Sequence, residues 1–301
     1  MHRATESDGN TEEEAYEPSR ASQLYTVWKK LKVSKVSVFG GGIVLAVVLI
    51  AIFGPFLVPY DHKDMYVFEP LRPPFYEAIL GSDDWGRDML SLLVLGTRVS
   101  LYVGLGAVLL EAAIGLTIGM IAGYFGGFVD EVLMRITDVV LTLPTLMLLI
   151  LAVSMFRIRG INIIIMVSGL LGWPFLARVV RSEFLSLKES TFVEAARSVG
   201  VSNWRIIIRH ILPNAMASII VLLTMDIPWY IFYEASLTFL GFGDPAAASW
   251  GVLMERGRGF IDGQGWWIAG FPGLAILITS LGFNLFGDGL RDALDVKTRA
   301  R

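Results

Sequence analysis

Long apolar blocks alternate with polar segments along this chain of 301 residues. Six blocks are long enough, at about 20 residues each, to cross ~30 Å of hydrocarbon: roughly 37–58, 99–123, 136–156, 161–180, 214–240 and 267–287. Backbone amides and carbonyls inside lipid must bond within their own segment, so the blocks are expected as helices. The pattern predicts an all-α integral membrane protein with six transmembrane helices.

The polar segments differ in kind. Residues 59–98 carry Pro59, Pro70, Pro73 and Pro74 and then LGSDDWGRDMLSLLVLGTRVSL, from Leu80 to Leu101, which predicts an external loop leading into a membrane-surface helix. Asp83, Asp84 and Asp88 lack the spacing and the glycine of an EF-hand loop and are better read as turn and capping residues, so no metal site is expected. Trp266 and Trp267, before the last block, suit a membrane interface.

Between Thr191 and Asn214 the chain reads TFVEAARSVGVSNWRIIIRHILPN. Thr191 followed by Glu194 has the capping-box pattern, Ala195 and Ala196 extend a short helix, and Gly200 suits a left-handed stop. Ser202 offers a second N-cap, and Pro213 with Asn214 ends the second helix or begins the next span. The expectation is two short helices meeting at a glycine hinge.

Within the blocks, Gly115, Gly119, Gly123 and Gly127 recur every four residues and form one stripe on which another backbone can pack closely. Glu111 and Asp226 place carboxyls inside apolar spans, where each costs a few kcal/mol unless it meets a partner or water. They are candidate pathway-lining residues, with structural pairing as the equal alternative. Asp138 has Arg135 on the same helical face, whereas Asp226 has only Pro228 nearby, a residue that kinks a helix and frees a carbonyl.

Composition supports the pattern: 54% of residues are hydrophobic and the mean hydropathy is +0.60. There is no cysteine, which excludes disulfides, thiol nucleophiles and cysteine-ligated metals. The acidic start (Glu6, Asp8, Glu12, Glu13, Glu14, Glu17) lacks a cleavage site, so residues 1–35 are expected as a partly disordered cytoplasmic tail before a retained first helix. Lys29, Lys30, Lys32 and Lys35, then Arg178, Arg181, Lys188, Arg197, Arg205 and Arg209, then Arg291, Lys297, Arg299 and Arg301 fall on one side of a six-span chain. Both termini and the 191–214 segment are therefore expected in the cytoplasm.

Glu194, Ala195, Ala196, Gly200, Leu212 and Pro213 stand at the spacings of the EAA loop, and the chain resembles the permeases of ABC importers. His210 in RHILPN is similar to the dipeptide and oligopeptide branch. Leu80–Leu101, Glu234–Arg258 and Phe283–Asp295 resemble its C-type subunit, so the likeness runs from about Leu80 to Asp295. The resemblance implies a type I ABC-importer permease architecture: a first helix and external loop over 36–98, a five-helix core over 99–290 with a coupling loop at 181–213, and a cytoplasmic tail over 291–301. It further implies a cell-membrane, multi-pass subunit working with a second permease subunit, two ATPase subunits and an extracytoplasmic substrate-binding protein. Glu194, Ala195, Ala196, Gly200, Arg205, Leu212 and Pro213 would form the ATPase-coupling element.

The chain has no phosphate-binding loop, so ATP is expected on the partners, with no cofactor in this chain and no enzymatic activity of its own. No feature points to nucleic acid. An amphipathic helix on anionic lipid would explain the loop arginines but neither the small residues nor the Leu-Pro spacing. Peptides are the expected cargo, with oligosaccharides or nickel complexes as alternatives within the branch. An ion-driven secondary transporter using Glu111 and Asp226 is a second class, opposed by the lack of an obvious inverted repeat. An intramembrane enzyme is a third, opposed by the absence of H-E-x-x-H and G-x-S-x-G motifs.

Overall fold

The computed structural model describes residues 29–75, 77–156 and 159–294. The acidic tail, Arg157, Asp295, Lys297, Arg299 and Arg301 lie outside the described residues. Helices dominate: α1 (Lys35–Leu57), α2 (Met89–Phe125), α3 (Gly127–Thr142), α4 (Thr145–Ser154), α5 (Ile161–Lys188), α6 (Thr191–Ser198), α7 (Asn203–Phe239), α8 (Trp250–Gly257) and α9 (Trp266–Leu294). Local chemistry sets their starts. The Ser34, Asp88 and Ser249 side chains accept the N–H groups of Ser37, Ser91 and Val252, which satisfies first-turn donors of α1, α2 and α8.

Five helices, α1, α2, α5, α7 and α9, are long and apolar enough to span a membrane. The expected span over 136–156 is instead a pair, α3 and α4, bent by 88° at Leu143 and Pro144, and counting it as one broken span gives six. Proline at 144 lacks the donor needed to continue α3 and disfavours helical backbone at Leu143, which is extended (ψ 138).

No separate surface helix precedes the second span. Residues 89–125 form one helix of 37 residues, about 55 Å long at 1.5 Å per residue, because no proline or capping signal interrupts it after Asp88. That length exceeds the ~30 Å of a bilayer's hydrocarbon.

Helix α2 forms the centre, with α5 along one side and α7 along another, while α1 and α9 pair and close the outside. The glycine stripe accounts for the α2–α5 seam. A Cβ on Gly119 would stand 2.6 Å from the Ala177 carbonyl, and one on Gly123 would stand 2.6 Å from Phe184 Cβ. Gly115 meets Leu176 in the same seam. Gly127 does not belong to it, since nothing approaches its Cβ position; with φ +56 it turns the chain between α2 and α3.

The loop between α1 and α2 is held by its own polar groups. Asp83 forms a buried ion pair with Arg87 and accepts the N–H of Trp85, while Asp88 caps α2. Trp267 is 4% exposed and donates its indole N–H to the Ser82 carbonyl at 2.9 Å, so it pins this loop to α9. The expectation of paired interface anchors is thus corrected for Trp267. Trp266, 53% exposed, faces outward. Burial above Asp84, together with the neighbouring Asp83 carboxylate, raises the Asp84 pKa above the ordinary carboxylate value.

Candidate coupling loop and intramembrane carboxyls

The loop between α5 and α7 begins with α6. Its N-cap is Ser190 and Thr191 is the first helical residue, so the expected capping box is absent; Ser190 Oγ donates instead to the Leu187 carbonyl. The reason is the short turn at Glu189 and Ser190, which leaves the Ser190 hydroxyl facing the end of α5. At the other end Gly200 has φ +77 and closes α6 as expected. The Gly200 N–H reaches the Arg197 carbonyl at 2.9 Å, and the Val201 N–H reaches that of Ala196 at 3.1 Å. This is the paired bonding of a Schellman stop, which needs a left-handed residue at the position Gly200 occupies.

Val193 and Ala196 are buried against Phe184, Ile206, Ile207 and Ile211, so the inner face of α6 is fixed to the adjoining ends of α5 and α7. Glu194, Ala195, Arg197, Val199, Gly200, Trp204, Arg205 and Arg209 remain exposed on the outer face. Of the sequence-predicted loop residues, Glu194, Ala195, Gly200 and Arg205 are thus uncovered, whereas Ala196 is buried and Leu212 half-buried.

The second loop helix does not end at Pro213. Ser202 stands at the N-cap position of Asn203–Arg205 without a side-chain cap bond, and the chain then runs through a π-helical turn, Ile206–Ile211, into the long span that contains Leu212 and Pro213. The Leu212 N–H bonds the Ile207 carbonyl, five residues back. A proline has no N–H and its ring crowds the carbonyl four residues earlier. Widening the preceding turn by one residue accommodates it without breaking the helix.

Polar and cation–ring contacts also join this loop to α2. The Tyr124 hydroxyl donates to Asn203 Oδ1 at 2.8 Å, and the Arg197 guanidinium lies 5.6 Å from the Tyr124 ring centroid. Arg181 forms a bidentate pair with Asp130, at 2.5 and 2.6 Å, binding α5 to α3. Asp138 pairs with Arg178 of α5 at 2.5 Å, so its partner comes from another helix rather than from Arg135 on its own.

The structure brings Glu111 and Asp226 together. Glu111 is 2% exposed, lies within electrostatic reach of Asp226, and is hydrogen-bonded by Tyr230. Both carboxyls sit where α2, α5 and α7 meet.

Glu234 is a third intramembrane carboxyl, which sequence reasoning passed over. Fully buried, its Oε1 accepts Ser249 Oγ at 2.7 Å and Thr238 Oγ1 at 3.1 Å, tying α7 to the start of α8. Its spacing from Thr238, four residues on, is the signal that was available. Beside it, Phe232, Phe239, Met254, Ile276 and Ser280 line an apolar cavity of about 560 Å³ between α7, α8 and α9.

A helical bundle with a broken span, a close-packed central helix and an exposed basic loop between two spans defines a multi-pass membrane transport subunit. The chain belongs to the family described as "Binding-protein-dependent transport system inner membrane component", whose pattern matches residues 115–300, and it is thus a permease component of ABC importers. Residues 22–74 match the "N-terminal TM domain of oligopeptide transport permease C".

The chain is 38% identical over 279 residues to the oligopeptide transport system permease protein OppC of Bacillus subtilis, covering 91% of each chain. It is 39% identical to the dipeptide transport system permease protein DppC of the same organism, over 95% of this chain and 90% of that one. To the glutathione transport system permease protein GsiD of Pectobacterium atrosepticum it is 39% identical, over 91% of both. An inward-facing form of the MetNI methionine ABC transporter shares the fold, with a TM-score of 0.57 at 21% identity over 68% of this chain and 97% of that chain.

Proposed function

We propose that this chain is the C-type permease subunit of an ATP-driven importer of dipeptides and oligopeptides, that it forms the pathway with a second permease subunit, and that it carries no enzymatic activity. The observation that carries the cargo is the set of peptide-transport names borne by relatives at 38–39% identity along nearly the whole chain. In this reading an extracytoplasmic binding protein delivers peptide, and two cytoplasmic ATPase subunits bind the ATP. The exposed face of α6 and the following helix, with Glu194, Ala195, Gly200 and Arg205, docks on an ATPase subunit. Ala196 and Leu212 hold that face in position from inside, and Pro213 stands at the start of the span that follows.

The loop's mechanics support the reading. Val193 and Ala196 fix α6 to the ends of α5 and α7, and α7 continues without a break into its span. A push on α6 therefore moves the spans as well as the loop. Both termini and this loop lie in the cytoplasm, in keeping with the basic residues beside them.

The test is uptake by proteoliposomes containing the chain with its partner subunits and binding protein. ATP-dependent accumulation of labelled di- and oligopeptides, unaffected by excess oligosaccharide or nickel, is the expected result. Accumulation of either alternative cargo in place of peptide would overturn the assignment.

A further inference from the structure

Glu111 and Asp226 lie on different helices, roughly twelve residues inside their respective spans, near the bilayer centre. Glu111 is 98% buried by its 2% exposure, yet its Oε2 has no hydrogen-bond partner, and neither has the buried Oδ2 of Asp226. Among the described residues no basic side chain pairs with either carboxyl. Two buried acceptor atoms without a partner, within electrostatic reach of each other, call for a positive charge near them.

A second feature shapes the site. Tyr230, also buried, reaches over Glu111 from α7, and a Cβ on Gly172 of α5 would stand only 1.8 Å from the Tyr230 hydroxyl. Only glycine at 172 leaves room for that hydroxyl to close the pair. Tyr233 is the other titratable group facing Asp226, and α5 contributes Gly172 at this level. Among the described residues no group of three or more His, Cys, Asp or Glu side chains is placed to hold a metal ion, so the ligand set here is too sparse for a divalent metal.

We propose that Glu111 and Asp226 form a buried site for one monovalent cation, closed by the Tyr230 hydroxyl, between α2 and α7. A proton and an alkali ion share the chemistry such a pair selects. Because α7 carries the coupling loop at one end and Pro228 inside the span, its movement against α2 changes the separation of the carboxyls. Cation affinity then differs between conformations, and by linkage the cation biases the conformation. The site is independent of the peptide reading, since cation binding needs neither cargo nor ATP.

The experiment uses the assembled complex in lipid nanodiscs without ATP or cargo. Infrared difference spectra on hydrogen–deuterium exchange report protonated carboxyls, and radioactive sodium chloride reports alkali-ion binding. A protonated-carboxyl band lost in both Glu111→Gln and Asp226→Asn identifies a proton. Saturable sodium binding weakened about ten-fold or more in both variants identifies an alkali ion. Tyr230→Phe, which keeps both carboxyls, weakens whichever signal is present without abolishing it. Ionised carboxyl bands only, with no sodium bound by the wild type, overturn the proposal, and so does a signal unchanged in both carboxyl variants. If those variants fail to assemble, the wild-type spectrum and the Tyr230→Phe complex decide.

Discussion

The Tyr124 hydroxyl bonds Asn203 Oδ1 at 2.8 Å, joining the C-terminal end of α2 to the first residue of α7. The same ring carries the Arg197 guanidinium on its face, so one side chain touches both halves of the loop. Tyr124→Phe keeps the ring and removes the bond, at a cost of about 1 kcal/mol. Peptide uptake per ATP hydrolysed is expected to fall by about two- to five-fold, as that energy implies. Tyr124→Ala removes both contacts and is expected to lower it further. Equal coupling ratios in wild type and both variants would exclude a role for this link.

Gly200 has open space around its Cβ position but a φ of +77. Substitution there is a matter of backbone strain, without a clash. Gly200→Asn, which tolerates the left-handed region, is expected to keep most transport. Gly200→Ala costs about 1 kcal/mol, and Gly200→Val costs more and abolishes transport while membrane insertion remains. Uptake and membrane-fraction blots separate the two effects, and normal uptake by Gly200→Val would remove the hinge from the mechanism.

The seam separates neighbouring glycines in the opposite way. Gly119→Val drives a side chain into the Ala177 carbonyl and Val180, and overpacking of this kind costs about 1–3 kcal/mol or more. Gly127→Ala meets nothing and costs only the strain of φ +56. Thermal stability of the detergent-solubilised complex is expected to drop sharply for the first and slightly for the second. Equal losses would show that the α2–α5 approach is less tight than described.

Span existence was legible because backbone satisfaction in lipid leaves helices as the only solution for long apolar blocks. Span shape was less so. Pro144 read as part of a span and in fact bends the chain by 88°, whereas Pro213, read as the end of the loop helix or the start of the next span, stands at the start of that span after a π turn. Both outcomes depend on what packs around the proline, which one sequence does not display. The loop was legible through Gly200, whose conformational requirement is local. Trp267 was misread because a tryptophan near a span end suits lipid and protein equally, and only the Ser82 carbonyl decides. The meeting of Glu111 with Asp226 was invisible because 115 positions separate them and no spacing rule connects two helices.

Asp84 has a folded-state pKa raised above 3.8, first by burial and next by Asp83. Its folded form therefore binds protons more readily than its unfolded form. Stability contributed by the proton is fully present below about the unfolded value and is lost as pH rises through the raised folded value. Asp84→Asn, which removes the charge, is expected to flatten this dependence and to leave the loop between α1 and α2 as stable or more stable at neutral pH. Hydrogen exchange of residues 80–90 across the carboxylate range measures it. A steeper fall in protection with rising pH in the variant would contradict the assignment.

Pro213 tests whether the π turn sets the direction of the loop. Three isoleucines, 206, 207 and 211, are fully buried within that turn, and the Leu212 N–H reaches back five residues to Ile207. Packing of the isoleucines and the missing proline donor favour the same wide turn. Pro213→Ala restores a donor to the Arg209 carbonyl and makes an ordinary α-helical register available. Adopting it removes one residue from the bulge and rotates everything before Ile206 by about 100° relative to the span. Arg205 and Trp204 would then leave the exposed face they share with α6. ATPase activity is expected to persist while peptide uptake falls, because under the proposed function the nucleotide sites are on the partners and only the transmitted direction changes. Cysteine cross-linking from position 205 to the ATPase subunit, in this naturally cysteine-free chain, reads the rotation directly. An unchanged cross-link with unchanged uptake would mean that isoleucine packing alone holds the turn.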